Sequence, residues 1–470
     1  MKSSYRNIFT SILSFFIFGK SYAHLSLPSI LSDNMVLQQK SGATIWGWTT
    51  VLDETITVSG SWNNLEVKVK AKKGIWYVKL PTPTAGGPYK ITIRGHEAII
   101  LKEVMIGEVW LCSGQSNMEW AAAAGIDNSQ EEISKANHPN IRFFIVPRKI
   151  DTIAQKDVKS KWEICTPETM KDFSAVGYFF GEEIEKKLQV PIGLIGSYWG
   201  GTSIEVWTRK DLITDDDKLA NAVNNLLEPS CCPQKQIGQV YNAMIHPLIN
   251  YGIAGVLWYQ GEANRNNNTY YETLPLLIHS WRKDWKKQFP FYLVQLAPFK
   301  YEENEFFAPL VRDAQLQAML NVPNTGMVVT NDIGNLENVH PTNKKEVGRR
   351  LSFWALAKTY GVQNITYSGP IYKSMKLSNN KVILHFNHTG SGLIKKGEEL
   401  KEFFIAGKDK VFYRAKAEIK GKTVIVYSLK VRKPVAVRLA FSDTALPNLY
   451  NKEGLPASAF RTDKWSLEKK

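Results

Sequence analysis

Six short apolar runs limit what this chain can become. They are Val109-Trp110-Leu111, Ile141-Arg142-Phe143-Phe144-Ile145, Ile192-Gly193-Leu194-Ile195, Gly255-Val256-Leu257-Trp258-Tyr259, Tyr292-Leu293-Val294-Gln295-Leu296 and Met327-Val328-Val329-Thr330. Nearly continuous apolar runs of strand length mark strands that are covered on both faces. Between them the period becomes helical: Val176, Phe179, Phe180, Ile184 and Leu188 share one face of a helix expected over Ala175–Leu188. A second helix is expected from Lys344 to Lys358. Alternating strands and helices predict an α/β domain over residues 104–360, built on a mainly parallel sheet flanked by helices. Sites in such sheets form beyond the carboxyl ends of the strands. The polar stretch from Asp215 through Pro233 reads as an insertion loop near the sheet edge.

Both flanks read differently. Residues 24–103 carry short alternating runs such as Thr44-Ile45-Trp46-Gly47-Trp48 and Trp76-Tyr77-Val78-Lys79-Leu80, separated by Gly-rich turns. That spacing predicts a small β-sandwich-like domain, with no clustered titratable residues to give it chemistry. Residues 361–470 return to β character, as in Lys381-Val382-Ile383-Leu384-His385-Phe386. No internal repeat or low-complexity tract interrupts the chain.

Lys2 and Arg6 precede an apolar run, Ile8 to Phe18, and Ser21-Tyr22-Ala23 fits a small-x-small cleavage site. Residues 1–23 therefore read as a secretory signal, too short for a comfortable membrane span. A periplasmic or secreted protein is expected. Net charge is +15, or +12 once the three positives ahead of Ala23 are removed. The lysines are dispersed, with no concentrated basic stripe, so no nucleic-acid partner is expected. Cys112, Cys165, Cys231 and Cys232 are few for 470 residues, and their pairing cannot be deduced from sequence. No CxxC or HExxH spacing suggests a metal.

Chemistry concentrates at predicted strand ends. A serine hydrolase needs a nucleophile, a base and donors for an oxyanion. In Gly107 to Trp120 a buried run breaks at Gly114 and presents Ser116; Ser113 is the competitor but lies nearer the strand. His340 is the base candidate, after the last strand, with Pro341 suited to a first helical position. The other seven histidines have no such setting. Gly196 to Thr202 and Gln260 to Asn264 each follow a strand. The backbone N–H groups of Ser116 and Gly200, with the Asn264 amide, would supply three oxyanion donors.

Four ordered blocks carry a resemblance. They are Gly114-Gln115-Ser116-Asn117-Met118, Gly200-Gly201-Thr202-Ser203-Ile204-Glu205-Val206-Trp207, Trp258-Tyr259-Gln260-Gly261-Glu262-Ala263-Asn264, and His340-Pro341 with Lys344 and Gly348-Arg349-Arg350-Leu351. Together they make the chain resemble the sialate O-acetylesterase family of SGNH hydrolases over nearly its whole length after residue 23. The resemblance implies a flavodoxin-like, three-layer hydrolase domain that removes O-acetyl groups from sugars without metal or cofactor. It implies Ser116 as nucleophile, Gly200 and Asn264 as oxyanion donors and His340 as base.

Related enzymes carry an acid just ahead of the histidine, where this chain has Glu337 and Asn338. Glu337 is the favoured third member; Asn338 and a backbone carbonyl are the alternatives, and Asp332 is read as a strand-end or capping residue. Gln115, Trp199, Glu205, Trp258, Gln260 and Glu262 are pocket candidates. Glu205 and Glu262 also form a conceivable carboxylate pair for glycoside cleavage, a reading that the complete serine set outweighs. An O-acetylated carbohydrate is the expected substrate: sialic acid esters first, acetylated xylan or another plant glycan second. A non-catalytic glycan-binding protein on this scaffold is the remaining class. Sequence gives no oligomeric state.

Overall fold

One strand joins the amino-terminal β region to the central sheet. The computed structural model describes residues 24–224, 236–265, 269–301 and 307–466. The expected signal segment 1–23 and Cys231 and Cys232 lie outside the described residues. Strand β1 (Ala98–Gly114) is 17 residues long. Its first part pairs antiparallel with Gly86–Arg94 and parallel with Val36–Gln38. Its second part, from Glu108, lies between two parallel neighbours of the central sheet. The expected boundary between residues 103 and 104 thus falls inside a continuous strand.

The central sheet contains β2 (His138–Ile145), β3 (Trp162–Cys165), β4 (Ile192–Tyr198), β5 (Gly255–Tyr259), β6 (Phe291–Val294) and β7 (Thr325–Val328) besides β1. Its order is β3-β2-β4-β1-β5-β6-β7, parallel except for β3 against β2. Both faces are covered, and side chains alternate between them as strand geometry requires. Val109, Leu111, Val256, Trp258 and Leu293 join one hydrophobic cluster, whereas Trp110, Cys112, Leu257, Tyr259 and Val294 join the other. All six strand-forming runs are therefore present, the first far longer than its apolar core suggests.

Helices α1 (Ala175–Leu188), α2 (Tyr270–Asp284), α3 (Phe307–Asn321) and α4 (Lys344–Trp354) pack in two pairs, α1 with α4 and α2 with α3. Ser174 caps α1 by accepting the Gly177 N–H at 3.1 Å. Gly348 lets α4 approach closely: a β-carbon there would stand 2.8 Å from the Val176 carbonyl oxygen. Pro341 does not open α4. Asn343 caps it, its Oδ1 accepting the Glu346 N–H at 3.1 Å. The described part of the expected 215–233 loop is partly helical, because Leu219 and Val223, one turn apart, bury with Ile213 in a small cluster.

Two further four-stranded sheets form the carboxyl-terminal region, one including Lys381–Asn387 and Thr423–Tyr427, the other Phe403–Ala406 and Ala436–Leu439. The buried Arg312 guanidinium of α3 docks it, donating to the carbonyls of Ser442 at 2.8 Å and Asp443 at 2.9 Å. Among the described residues no helix is long and apolar enough to cross a membrane.

Register aligns the carboxyl ends of three strands: Tyr198 and Tyr259 both stand opposite Gly114. Gly114 has φ +139°, and a β-carbon there would lie 2.1 Å from the Tyr259 carbonyl oxygen. Only glycine meets both demands. Replacing Gly114 by Ala is expected to destabilise the fold by about 2 kcal/mol or more, read from the denaturant midpoint; an unchanged midpoint would contradict the geometry.

Candidate active site

Beyond Gly114 the chain turns at once. The Gln115 N–H donates to the Tyr259 carbonyl at 3.0 Å, and Ser116 opens the four-residue helix Ser116–Glu119. Ser113 stays inside β1, fully buried, with no partner for its hydroxyl among the described residues. His340 lies between β7 and α4 and brings Nε2 to 2.8 Å from Ser116 Oγ. Its ring stacks on Trp120, centroids 4.2 Å apart at 18°. Its backbone N–H donates to Asn338 Oδ1 at 2.9 Å.

A buried amide holds these parts in place. Asn117 Nδ2 donates to Glu262 Oε1 at 2.5 Å and to the Val339 carbonyl at 2.9 Å. Its Oδ1 accepts from Lys344 Nζ at 2.5 Å. Burial pushes the Lys344 ammonium down to about 7 even though Glu262 favours its charged form. Burial likewise raises the Glu262 carboxyl above its usual range. His340 is lowered below 6.5, first by burial and then by the Lys344 charge.

The three expected oxyanion donors are in different states. The Ser116 N–H enters no hydrogen bond among the described residues. Gly200 is close to Ser116, since a β-carbon on it would lie 3.3 Å from Ser116 Cβ. Its N–H, however, donates to Glu119 Oε2 at 2.8 Å, and Glu119 is also paired with Arg148. Asn264 is fully buried: its Nδ2 donates to both Glu205 oxygens at 3.0 Å, and its Oδ1 accepts from the Ile204 N–H and from Gln260 Nε2.

Two cavities meet at Ser116 and His340. One, of about 490 Å³, is lined by Trp120, Ile145, Pro147, Tyr198 and the Glu119–Arg148 pair. The other, of about 430 Å³, is lined by Gln115, Ser203, Glu262, Arg265, Tyr301 and Val339. Of the pocket candidates, Gln115 and Glu262 line a cavity. Trp199, Glu205 and Gln260 do not, and Trp258 is core, packed edge-on against Trp207 and Trp281.

Glu337 is not brought to His340. Its side chain is exposed, and no hydrogen bond joins the two among the described residues. The Asn338 side chain turns the loop back onto the His340 N–H and leaves the preceding residue facing solvent. Asp332 is neither cap nor relay; it pairs in bidentate fashion with Arg350 at 2.7 and 2.8 Å. Sequence reasoning missed Asn117, Glu119, Trp120, Lys344, Arg265 and Tyr301 as site residues. Asn117, Glu119 and Trp120 were accessible from their place within four residues of Ser116; the others had no local signal. Among the described residues no group of three or more His, Cys, Asp or Glu side chains is placed to hold a metal ion.

Residues 106–356 match the model of a family described as carbohydrate esterase, sialic acid-specific acetylesterase. Human sialate O-acetylesterase is 32% identical over 409 residues, covering 77% of this chain and 76% of its own length. The mouse sialate O-acetylesterase is 31% identical over 432 residues, covering 77% and 78%. The crystal structure of a carbohydrate acetylesterase from Xanthomonas citri is 36% identical, with a TM-score of 0.86, covering 94% of this chain and all of that one.

The electrostatics of the site set a pH dependence. A histidine base works when neutral, and His340 is lowered from 6.5, so its base form persists to lower pH. Lys344, titrating at about 7, carries its charge where His340 titrates. The acid limb of kcat/KM for 4-nitrophenyl acetate is expected below pH 6.5, and Lys344→Met should move it upward; a downward shift would contradict this coupling.

Proposed function

The chain belongs to the carbohydrate esterase family of sialic acid-specific acetylesterases, and on that premise we propose that it releases acetate from O-acetylated sugars through an acyl-enzyme on Ser116. The observation that carries the serine mechanism is the 2.8 Å contact between Ser116 Oγ and His340 Nε2 at the junction of two cavities. Ser116 Oγ attacks the acetyl carbonyl carbon while its proton passes to His340 Nε2. The tetrahedral oxyanion takes hydrogen bonds from the Ser116 and Gly200 N–H groups, the ester oxygen displacing Glu119 from Gly200. Collapse expels the sugar oxygen, which takes the proton from His340. Water, deprotonated by His340, then attacks the acetyl–Ser116 carbonyl; the bond to Ser116 Oγ breaks, Oγ takes the proton back from His340, and acetate leaves.

In this reading Ser116 and His340 act as a pair. The Trp120 ring fixes the plane of the imidazole and favours its cationic form by facing it. Glu337 has no part in the proton relay. The scaffold fits a flavodoxin-like SGNH hydrolase domain with three layers, flanked by β-sandwich-like regions: β1 is central, and the two helix pairs match the two covered faces. Lys2, Arg6 and the apolar run after them support secretion or a periplasmic location.

The proposed substrates are acetylated sialic acids, the class named for the mammalian relatives. Acetyl esters on other glycans are the second reading, favoured by the similarity to the carbohydrate acetylesterase from Xanthomonas citri. Glycoside cleavage by Glu205 and Glu262 is disfavoured, because Glu205 lies beneath Asn264 and off both cavities.

Acetate release from acetylated sialosides and acetylated xylo-oligosaccharides tests the reading. Ser116→Ala is expected to lower turnover by about 10³-fold or more on any acetyl ester; a variant as active as wild type would remove Ser116 from the mechanism. Glu337→Gln is expected to retain activity within about twofold; a collapse in kcat would return Glu337 to the relay.

A further inference from the structure

The cavity of about 430 Å³ beside Ser116 and His340 holds four buried polar atoms without hydrogen-bond partners among the described residues: Ser203 Oγ, Glu262 Oε2, Arg265 Nη1 and Tyr301 Oη. Buried polar groups are normally paired, and an unmet donor on a charged group is costly. Four at one site, next to the reacting hydroxyl, indicate groups that a ligand completes.

Arg265 dominates the set. Its guanidinium lies flat on Tyr301, the carbon 3.4 Å from the ring centroid. That stacking uses the face of the guanidinium and leaves the in-plane N–H edge for hydrogen bonding. The edge is little used: Nε donates to the Glu262 backbone carbonyl at 3.2 Å, and no carboxylate pairs with Arg265 among the described residues. Glu262 Oε1 is engaged by Asn117, and its carboxyl acts on Arg265 only through space, without an ion-pair contact. The cavity therefore presents a planar cation that no carboxylate touches among the described residues. A carboxylate is the group that fits such an edge, forming short charge-assisted bonds. Neutral hydroxyls would satisfy Ser203, Tyr301 and Glu262 but give the guanidinium edge no counter-charge in contact.

We propose that Arg265, stacked on Tyr301, is a specificity-determining residue that anchors the carboxylate of an O-acetylated acidic sugar while Ser116 attacks its acetyl ester. Ser203 and the Tyr301 hydroxyl complete the subsite with hydrogen bonds to sugar oxygens. The proposal rests on the esterase reading above and adds to it the charge of the substrate and the residue that reads it.

The test compares an O-acetylated sialic acid with its methyl ester, which keeps the acetyl group and sugar and removes the charge. Wild type is expected to show kcat/KM at least about tenfold higher for the free acid, mostly through KM. Arg265→Gln should bring the ratio of acid to ester close to one, and Arg265→Lys should restore part of it. A wild-type ratio near one, or a ratio that survives Arg265→Gln, overturns the subsite. Because the wild-type ratio is decisive by itself, poor folding of a variant does not shield the proposal. If wild type releases no acetate from either compound or from 4-nitrophenyl acetate, the esterase reading fails instead.

Discussion

The geometry of the site depends on one buried side-chain amide. Asn117 has one acceptor and two donor hydrogens, and its bonds reach three separate segments: the start of α4 at Lys344, the loop carbonyl of Val339 and the turn after β5 at Glu262. It is the residue next to Ser116, so the bonds that tie the histidine loop act directly on the turn that carries Ser116. The distance between Ser116 and His340 is therefore set by a polar knot in a low-dielectric interior, centred on an amide whose nitrogen and oxygen are both engaged. Buried hydrogen bonds of this kind restrict the segments that they join.

The sheet supplies the platform for that knot. Three adjacent strands end level, so the loops that leave them converge over one point rather than spreading along an edge. The Glu119 carboxylate follows from the same crowding. Gly200 has a backbone N–H that needs a partner when no substrate is bound, and Glu119 supplies it from the same short helix that carries Ser116. The donor is thus kept in place by an internal anion, itself balanced by Arg148. The two cavities differ in character for related reasons. Trp120 and Tyr198 give one side ring surface, whereas the loop ends at Arg265 and Tyr301 give the other unmatched polar groups.

What the sequence made legible was what short-range pattern governs. Continuous apolar runs marked the strands because both faces of the sheet are covered, and a glycine at a strand end marked the turn to Ser116. Pairing Ser116 with His340 needed only their positions after strands. The Glu337 expectation failed because spacing does not reveal which way a loop turns. The Asn338 side chain folds back on the His340 N–H and directs Glu337 outward. Asn264 was placed at the right strand end, but its committed bonds to Glu205 depend on tertiary packing. Lys344 and Asn117 are 227 residues apart, a contact that no local rule anticipates. The helix Asp217–Asn224 was masked by its polar composition, since two apolar residues suffice to bury one narrow stripe.

The length of β1 has a further consequence. Its residues belong to two hydrogen-bonded ladders at once, one toward the amino-terminal region and one at the centre of the central sheet. Melting the first ladder would fray the strand that supports the second, so the two regions share a single cooperative folding unit. The amino-terminal β region is then a structural prerequisite of the candidate active site, in contrast to an appended module that recombination could exchange without cost.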